Sequence, residues 1–341
     1  MTQTIILGIE SSCDETAAAL VSDGRNVLSC AIASQIELHQ KYGGVVPEIA
    51  ARAHIENIIP ILRQTIEGAS LTPAQIDAIA VANCPGLSPA LLIGVTAAKT
   101  LAWAWQKPLI AVNHLHAHLQ SVMLEQDQDQ KCFPAVALAV SGGHTSIYNC
   151  TGPLNMELLG RTIDDAAGEA FDKVAAILRL PYPGGPSIEK LAKNGDPKAI
   201  KFPRTWLEKG SLNFSFSGIK TAVLYHCRGQ DMKGANRVPD MTDQEKADIA
   251  ASFQAAVIDV LVTKTIWAVE KTAANTILLG GGVAANSALR RHFEETAANL
   301  GLNLIIAEKK YCTDNAAMVA ALAYHKLKAN DTADLSLEPN A

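Results

Sequence analysis

The sequence predicts an α/β protein built from two similar lobes, and three observations carry that reading. Leu138 to Cys150, LAVSGGHTSIYNC, reads as a strand, a Gly-Gly turn bearing Ser141, His144 and Thr145, and a returning strand; Ile5 to Ser22 follows the same plan around the turn Ser11 to Glu15. Ile76 to Ala102 and Asn275 to Ala297 both read as strand, glycine-containing turn and helix. The length of 341 residues, 48% of them apolar, suffices for two domains with real cores. Each half thus holds one hairpin turn and one strand-to-helix turn. Backbone N–H groups aimed from such turns suit anionic oxygens, so two facing halves suggest a nucleotide held in the cleft between them.

Taken in order, the first lobe (residues 1–110) opens with strands around 4–10, 16–22 and 26–33. Pro47 suits a first helical turn, and Ile49, Ala53, Ile58, Leu62 and Ile66 recur at helical spacing, with Pro60 expected to kink the helix. A strand at 76–82, a helix at 88–106 and a strand at 109–113 follow, the last leading into a His-rich stretch. A polar surface loop, QDQDQK (126–131), joins the halves. The second lobe (111–330) has strands at 135–141 and 146–150, a mainly helical insertion at about 155–245 punctuated by glycine and proline, and a long helix at 246–273. A strand at 276–280 and helices near 286–299 and 314–328 complete it. Residues 331–341 lack apolar periodicity and read as a loose tail.

No apolar run reaches the ~18 residues of a membrane helix, and MTQTIILGIE lacks the basic region of a signal peptide, so a cytoplasmic address with no membrane partner is expected. The seven cysteines are scattered and form no CxxC, as reduced thiols would be. The net charge of −5 argues against a protein that coats nucleic acid everywhere. Lys198 to Arg237 is the exception, with eight basic residues against Glu208 and Asp231. It also carries Phe202, Trp206, Phe214, Phe216 and Tyr225, a mixture that suits phosphates and stacked bases; Phe214 and Phe216 read rather as core.

Three constellations carry chemistry. His114 and His118 of NHLHAHL share one face of a helix, where they could bind one metal ion with a carboxylate such as Asp314 of CTDNAAM; extended, the three histidines would fall on one side, and ordinary hydrogen bonding near a surface turn is the plain alternative. The stretch is not HExxH, which excludes a zincin-type protease. Glu10, Asp14 and Glu15 flank the turn ESSCDET, where they suit a metal's water shell or a base, with Asp14 and Glu15 equally readable as turn caps. Ser141 to Thr145 and Gly280 to Gly282 place glycines directly after buried strands, which wastes packing unless something approaches the backbone. Asn286 reads as a helix cap or a purine contact; Asp164, Asp165, Glu169 and Asp172 of DDAAGEAFDKVA (164–175) read as a solvated helix face, while Asp172 and Glu189 behind YPGGPSIE also suit ribose hydroxyls.

GIESSCDET, KYGGVVPEIAARAH, PGLSPALLIG, HLHAH, SGGHT, IDDAAGEAFDKVA, YPGGP, FSFSGIKT, GGGVAANSALR and CTDNAAM, in this order, resemble the bacterial tRNA threonylcarbamoyladenosine biosynthesis family (TsaD/Gcp) from about residue 4 to 328. The resemblance implies an actin/Hsp70/sugar-kinase-like (ASKHA) fold of two ribonuclease-H-like lobes. It implies transfer of a threonylcarbamoyl group from threonylcarbamoyl-AMP to N6 of the adenosine 3′-adjacent to the anticodon, in tRNAs reading codons that begin with adenine. It also implies one divalent metal, Fe(2+) or Zn(2+), on His114, His118 and Asp314. The adenylate, or ATP, would contact Ala139, Val140, Ser141, Gly142, Gly143, Asp172, Gly185 and Asn286, with Glu189 more weakly. Asn113 and His116 depart from the family's usual histidine motif. Implied partners are tRNA, a TsaB-like paralogue, a TsaE-like ATPase and a TsaC-like enzyme that makes the adenylate. A small-molecule kinase of the same fold and a non-catalytic nucleotide-binding scaffold are the competing readings.

Overall fold

β1 (Ile5–Glu10), IILGIE, is buried at every position because apolar layers cover both faces of its sheet. Side chains alternate along the strand, so Ile5, Leu7 and Ile9 enter one layer and Ile6 the other. Each such side chain contributes about 1.5–3 kcal/mol on burial. The computed structural model describes residues 3–126, 132–229 and 236–340. The loop residues 127–131, together with Asp231 and Lys233 of the basic segment, lie outside them.

The chain forms two units. In unit 1, β1 pairs antiparallel with β2 (Glu15–Ser22), β2 with β3 (Asn26–Ser34), and β1 parallel with β4 (Ala78–Cys84), which pairs with β5 (Leu109–Asn113). The order is β3-β2-β1-β4-β5. Short α1 (Ile36–Gln40), which the sequence does not announce, precedes α2 (Pro47–Ala69); α2 runs through Pro60 without interruption, and its Ile58, Ile61 and Leu62 pack under the sheet with Val95 and Ala98 of α3 (Ser88–Trp105). α4 (His114–Gln120) comes directly after β5.

In unit 2, β6 (Ala135–Val140), β7 (Thr145–Cys150) and β8 (Met156–Arg161) form an antiparallel meander, and β6 pairs parallel with β9 (Thr276–Gly280), β9 with β10 (Asn303–Ile306). The order β10-β9-β6-β7-β8, read backwards, repeats that of unit 1. This duplication is the ASKHA pattern. Between β8 and the long core helix α8 (Asp243–Thr272) lie α5 (Ala167–Ile177), α6 (Gly184–Ala192) and α7 (Ser217–Arg228); α9 (Ser287–Leu300) comes after β9. By length and composition α8 could cross a membrane, but 78% of its most apolar window is buried within the protein.

The structure redraws the expected lobe boundaries. Unit 1 comprises residues 1–131, 152–155 and 307–341, so α10 (Ala316–Lys328) belongs with the N-terminal sheet rather than with the second lobe. Its alanine-rich face lies against β1 because Gly8 has no Cβ, which would collide with Ala316 O. The region from 155 begins with a strand, not a helix: β8 sits at a sheet edge with mostly exposed side chains, so no apolar alternation marks it. The expected loose tail is instead ordered along unit 1. Its Ala333 pairs with Leu109, and Ala333 and Leu337 pack on the core, two apolar anchors too few to show as a period.

Candidate active site

β5 ends at Asn113, whose side-chain oxygen accepts from Leu115 N (2.9 Å) and His116 N (3.1 Å) and so caps α4. The helix then sets His114 and His118 on one face, with ring centroids 4.6 Å apart. Asp314 arrives from the turn before α10, which Asn315 shapes by donating to Thr313 O and accepting from Met318 N. His118 Nε2 lies 2.9 Å and His114 Nε2 3.6 Å from the same Asp314 oxygen. The three side chains each offer a ligand atom, all within 4.8 Å of one another. Two imidazoles and one carboxylate suit a divalent transition metal and leave coordination positions open.

Glu10, expected as a base, is completely buried and commits both oxygens: Oε1 accepts from Ser12 N (2.6 Å) and Oε2 lies 2.9 Å from His114 Nδ1. Ser12 Oγ stands 3.1 Å from the same ring nitrogen. Glu10 therefore orients His114 and leaves Nε2 toward Asp314. Burial opposes protonation of His114, but Glu10 and Asp314 outweigh it and raise the ring to about 9. The field that favours an imidazolium here also favours a metal cation. His118 has no such anchor: its buried Nδ1 has no hydrogen-bond partner among the described residues. His116 stands apart from the cluster, its ring pushed down by burial and by Lys326.

The rest of the ESSCDET turn is pinned by His54 of α2, which contacts Thr16 Oγ1 (2.7 Å) and Cys13 O (3.0 Å). Burial, then the charges of Asp14 and Asp314, push the Glu15 carboxyl far above the carboxylate range; the same three causes raise the Cys13 thiol.

The remaining expected residues gather in unit 2. Gly168 N and Glu169 N, in the first turn of α5, donate to Ser141 O and Gly142 O and fix the Gly-Gly turn. A Cβ on Gly142, Gly143, Gly185 or Gly282 would meet nothing within 4 Å, so their backbone borders open space. Ala139 and Val140 are buried in β6 and can offer only backbone. Asp172 Oδ1 accepts from Gly184 N (2.7 Å). Asn286 is the N-cap of α9, accepting from Ala288 N and Leu289 N while its amide donates to Gln254 Oε1 (2.8 Å). Glu189 Oε1 accepts from Ser287 N, closing the same helix end. These three side chains thus shape the turns around the open glycines.

Sequence reasoning misses several residues. Gln254 is detectable as a polar residue inside an apolar helical run. Asp164 binds Phe216 N, Ser215 Oγ and Ser217 Oγ, and Asp165 pairs with Lys173 and Lys220; the sequence suggests only a solvated helix face for both. In the basic segment Lys220 is thereby engaged, Arg204 pairs with Asp259, and Phe202, Phe214 and Phe216 are buried. Lys198, Lys201, Lys209, Arg228, Trp206 and Tyr225 remain exposed.

Comparisons with known proteins agree with this arrangement. A family model described as tRNA N6-adenosine threonylcarbamoyltransferase matches residues 26–321. The chain is 52% identical to the protein of that name from Moorella thermoacetica, over 98% of this chain and 96% of the relative. It is 51% identical to the one from Symbiobacterium thermophilum, over 99% and 96%. Among solved structures it is similar in fold to full-length HypF in a phosphate- and nucleotide-bound form (TM-score 0.61, 16% identity, 97% of this chain and 56% of that one). It is likewise similar to component A of the Acidaminococcus fermentans (R)-2-hydroxyglutaryl-CoA dehydratase (TM-score 0.53, 14% identity, 95% and 99%).

Proposed function

The chain belongs to the tRNA N6-adenosine threonylcarbamoyltransferase family and forms threonylcarbamoyladenosine in tRNA, and from that premise we propose how its residues divide the work. His114, His118 and Asp314 hold one divalent ion, Fe(2+) or Zn(2+), and the convergence of both histidines on one Asp314 oxygen carries this reading. When bound, such an ion supplies Lewis-acid stabilisation of negative charge on the carbamoyl or phosphate oxygens. The donor is threonylcarbamoyl-AMP, whose adenylate lies against the open backbone of Gly142, Gly143, Gly185 and Gly282. Attack by the adenosine N6 amine forms the new C–N bond and breaks the carbamoyl C–O bond to AMP, and the amine releases a proton. Asp14 accepts that proton, since Glu10 is committed to His114 and burial works against an ionised Glu15.

Partners are suggested by surface chemistry. Ile55 and Ile59 of α2 and Leu92 and Trp103 of α3 are 60, 60, 51 and 71% exposed, large apolar side chains that a TsaB-like paralogue would cover. A TsaE-like ATPase and a TsaC-like adenylate-forming enzyme complete the system, in the cytoplasm where tRNA is found. The test combines the purified protein, those partners, an adenylate-generating system and unmodified tRNA, with mass spectrometry of the nucleosides. Product should appear with the native chain and fall by about two orders of magnitude for Asp314→Ala. Undiminished product from Asp314→Ala would remove the metal from the mechanism.

A further inference from the structure

We propose that residues 331–340 are a strap that fixes the ends of β4 and β5 and thereby positions α4 with His114 and His118; the proposal rests on the metal-centre reading. β5 is the edge strand of its sheet, and its outward Leu109 O accepts from Ala333 N at 2.8 Å. Covering an exposed edge is a common use for a tail and would need no more than this pairing. The strap goes further. It turns at Asp334, whose Oδ1 accepts from Ser336 N, lays Leu337 on the apolar layer under the sheet, and receives Lys99 Nζ on Leu337 O at 3.0 Å.

It then reaches the irregularity in the β4–β5 ladder, where the register shifts between Ala82 and Cys84. Asn83 sits at that shift, and the strap takes up its polar groups: Asn340 N donates to Asn83 O (2.8 Å) and Asn83 Nδ2 to Glu338 O (3.4 Å). The next residue, Cys84, is the register partner of Asn113 and accepts from its side-chain amide (3.7 Å). Asn113 is the cap that starts α4. Strap, bulge, cap and metal helix are thus linked by consecutive contacts, and a bulge next to a site re-aims the residues beyond it.

The experiment uses Zn(2+) affinity, by competition with a chromophoric chelator, and amide hydrogen exchange without added metal. It compares the native chain, a truncation after Asn330, the full-length double variant Ala333→Pro/Leu337→Ser, the core control Ile58→Val, and His118→Ala. Both strap variants should bind Zn(2+) about tenfold more weakly, as loss of an outer positioning group does. Exchange should accelerate across Leu109–Gln120, while Ile58→Val, even if it lowers the melting temperature, should leave affinity unchanged. If the truncated chain does not fold, the double variant decides. Affinity and exchange in the strap variants that match the Ile58→Val control would overturn the proposal. Unaltered Zn(2+) binding by His118→Ala would instead overturn the metal-centre reading, and exchange across Leu109–Gln120 then judges the strap by itself.

Discussion

Glu10 and His114 stand 104 positions apart, yet their contact decides which ring nitrogen faces Asp314. The spacing of His114 and His118 is readable because a helix brings i and i+4 together, whereas nothing local in ESSCDET marks Glu10 as the orienting group. Glu10→Gln keeps the shape but removes the charge, and it should weaken metal affinity by about tenfold to a hundredfold. Isothermal titration with Zn(2+) measures this. His116→Ala should retain near-normal metal content by elemental analysis, because the His116 contribution to the capped turn is its backbone N–H. Asp172, Asn286 and Glu189 teach the reverse lesson: their residue types suggest a nucleoside, and the structure engages each in holding a helix end or turn. Asp172→Ala should therefore lower the melting temperature as well as adenylate affinity.

Strands buried on both faces are the most legible, and two short edge strands of unit 2 are the least. β1, β6 and β9 announce themselves as apolar runs, while β8 and β10 are edge strands with exposed positions. The contact of α10 with β1 also escapes the sequence, since an alanine-rich helix carries little information about which sheet it covers. Gly8→Ala should cost about 1–3 kcal/mol by wedging α10 away, and should reduce metal content because Asp314 leads that helix. Gly143→Ala meets open space and should melt like the native chain while losing adenylate affinity; the pair of melting curves separates packing glycines from ligand-facing ones. The junction of α5 and α7 adds a pH dependence. Burial alone would raise Asp164, but bonds from Ser215, Ser217 and Phe216 outweigh it and lower its carboxyl from 3.8. The resulting stabilisation is complete above 3.8 and is lost as pH falls through the lowered folded value. Asp164→Asn should melt below the native chain at pH 7, and the gap should narrow as the pH falls below 3.8, as read by circular dichroism.

At the scale of the molecule, the duplicated hairpin and strand-to-helix units and the basic stretch in an acidic chain are both visible in the sequence, whereas the strand order is not. Pairing within the basic stretch is not, because Asp165 and Asp259 lie far from Lys220 and Arg204 in the chain. Lys198, Lys201 and Lys209 are the lysines left to meet phosphate. Replacing all three with glutamine should weaken tRNA binding and reduce the salt slope by about 1 for each phosphate no longer neutralised, with adenylate affinity intact. Filter binding across a salt series provides the measurement.

The discontinuity of unit 1 bears on the order of events during synthesis. Asp314 leaves the ribosome 196 residues after His118, about 10–40 s later at ~5–20 residues per second. Unit 2, encoded between them, can fold first, while the growing chain still lacks α10 and the third metal ligand. A nascent chain stalled before residue 307 should therefore lack the complete ligand set, and the proposed ion would be taken up only once Asp314 has emerged, from whatever metal pool the chain then meets.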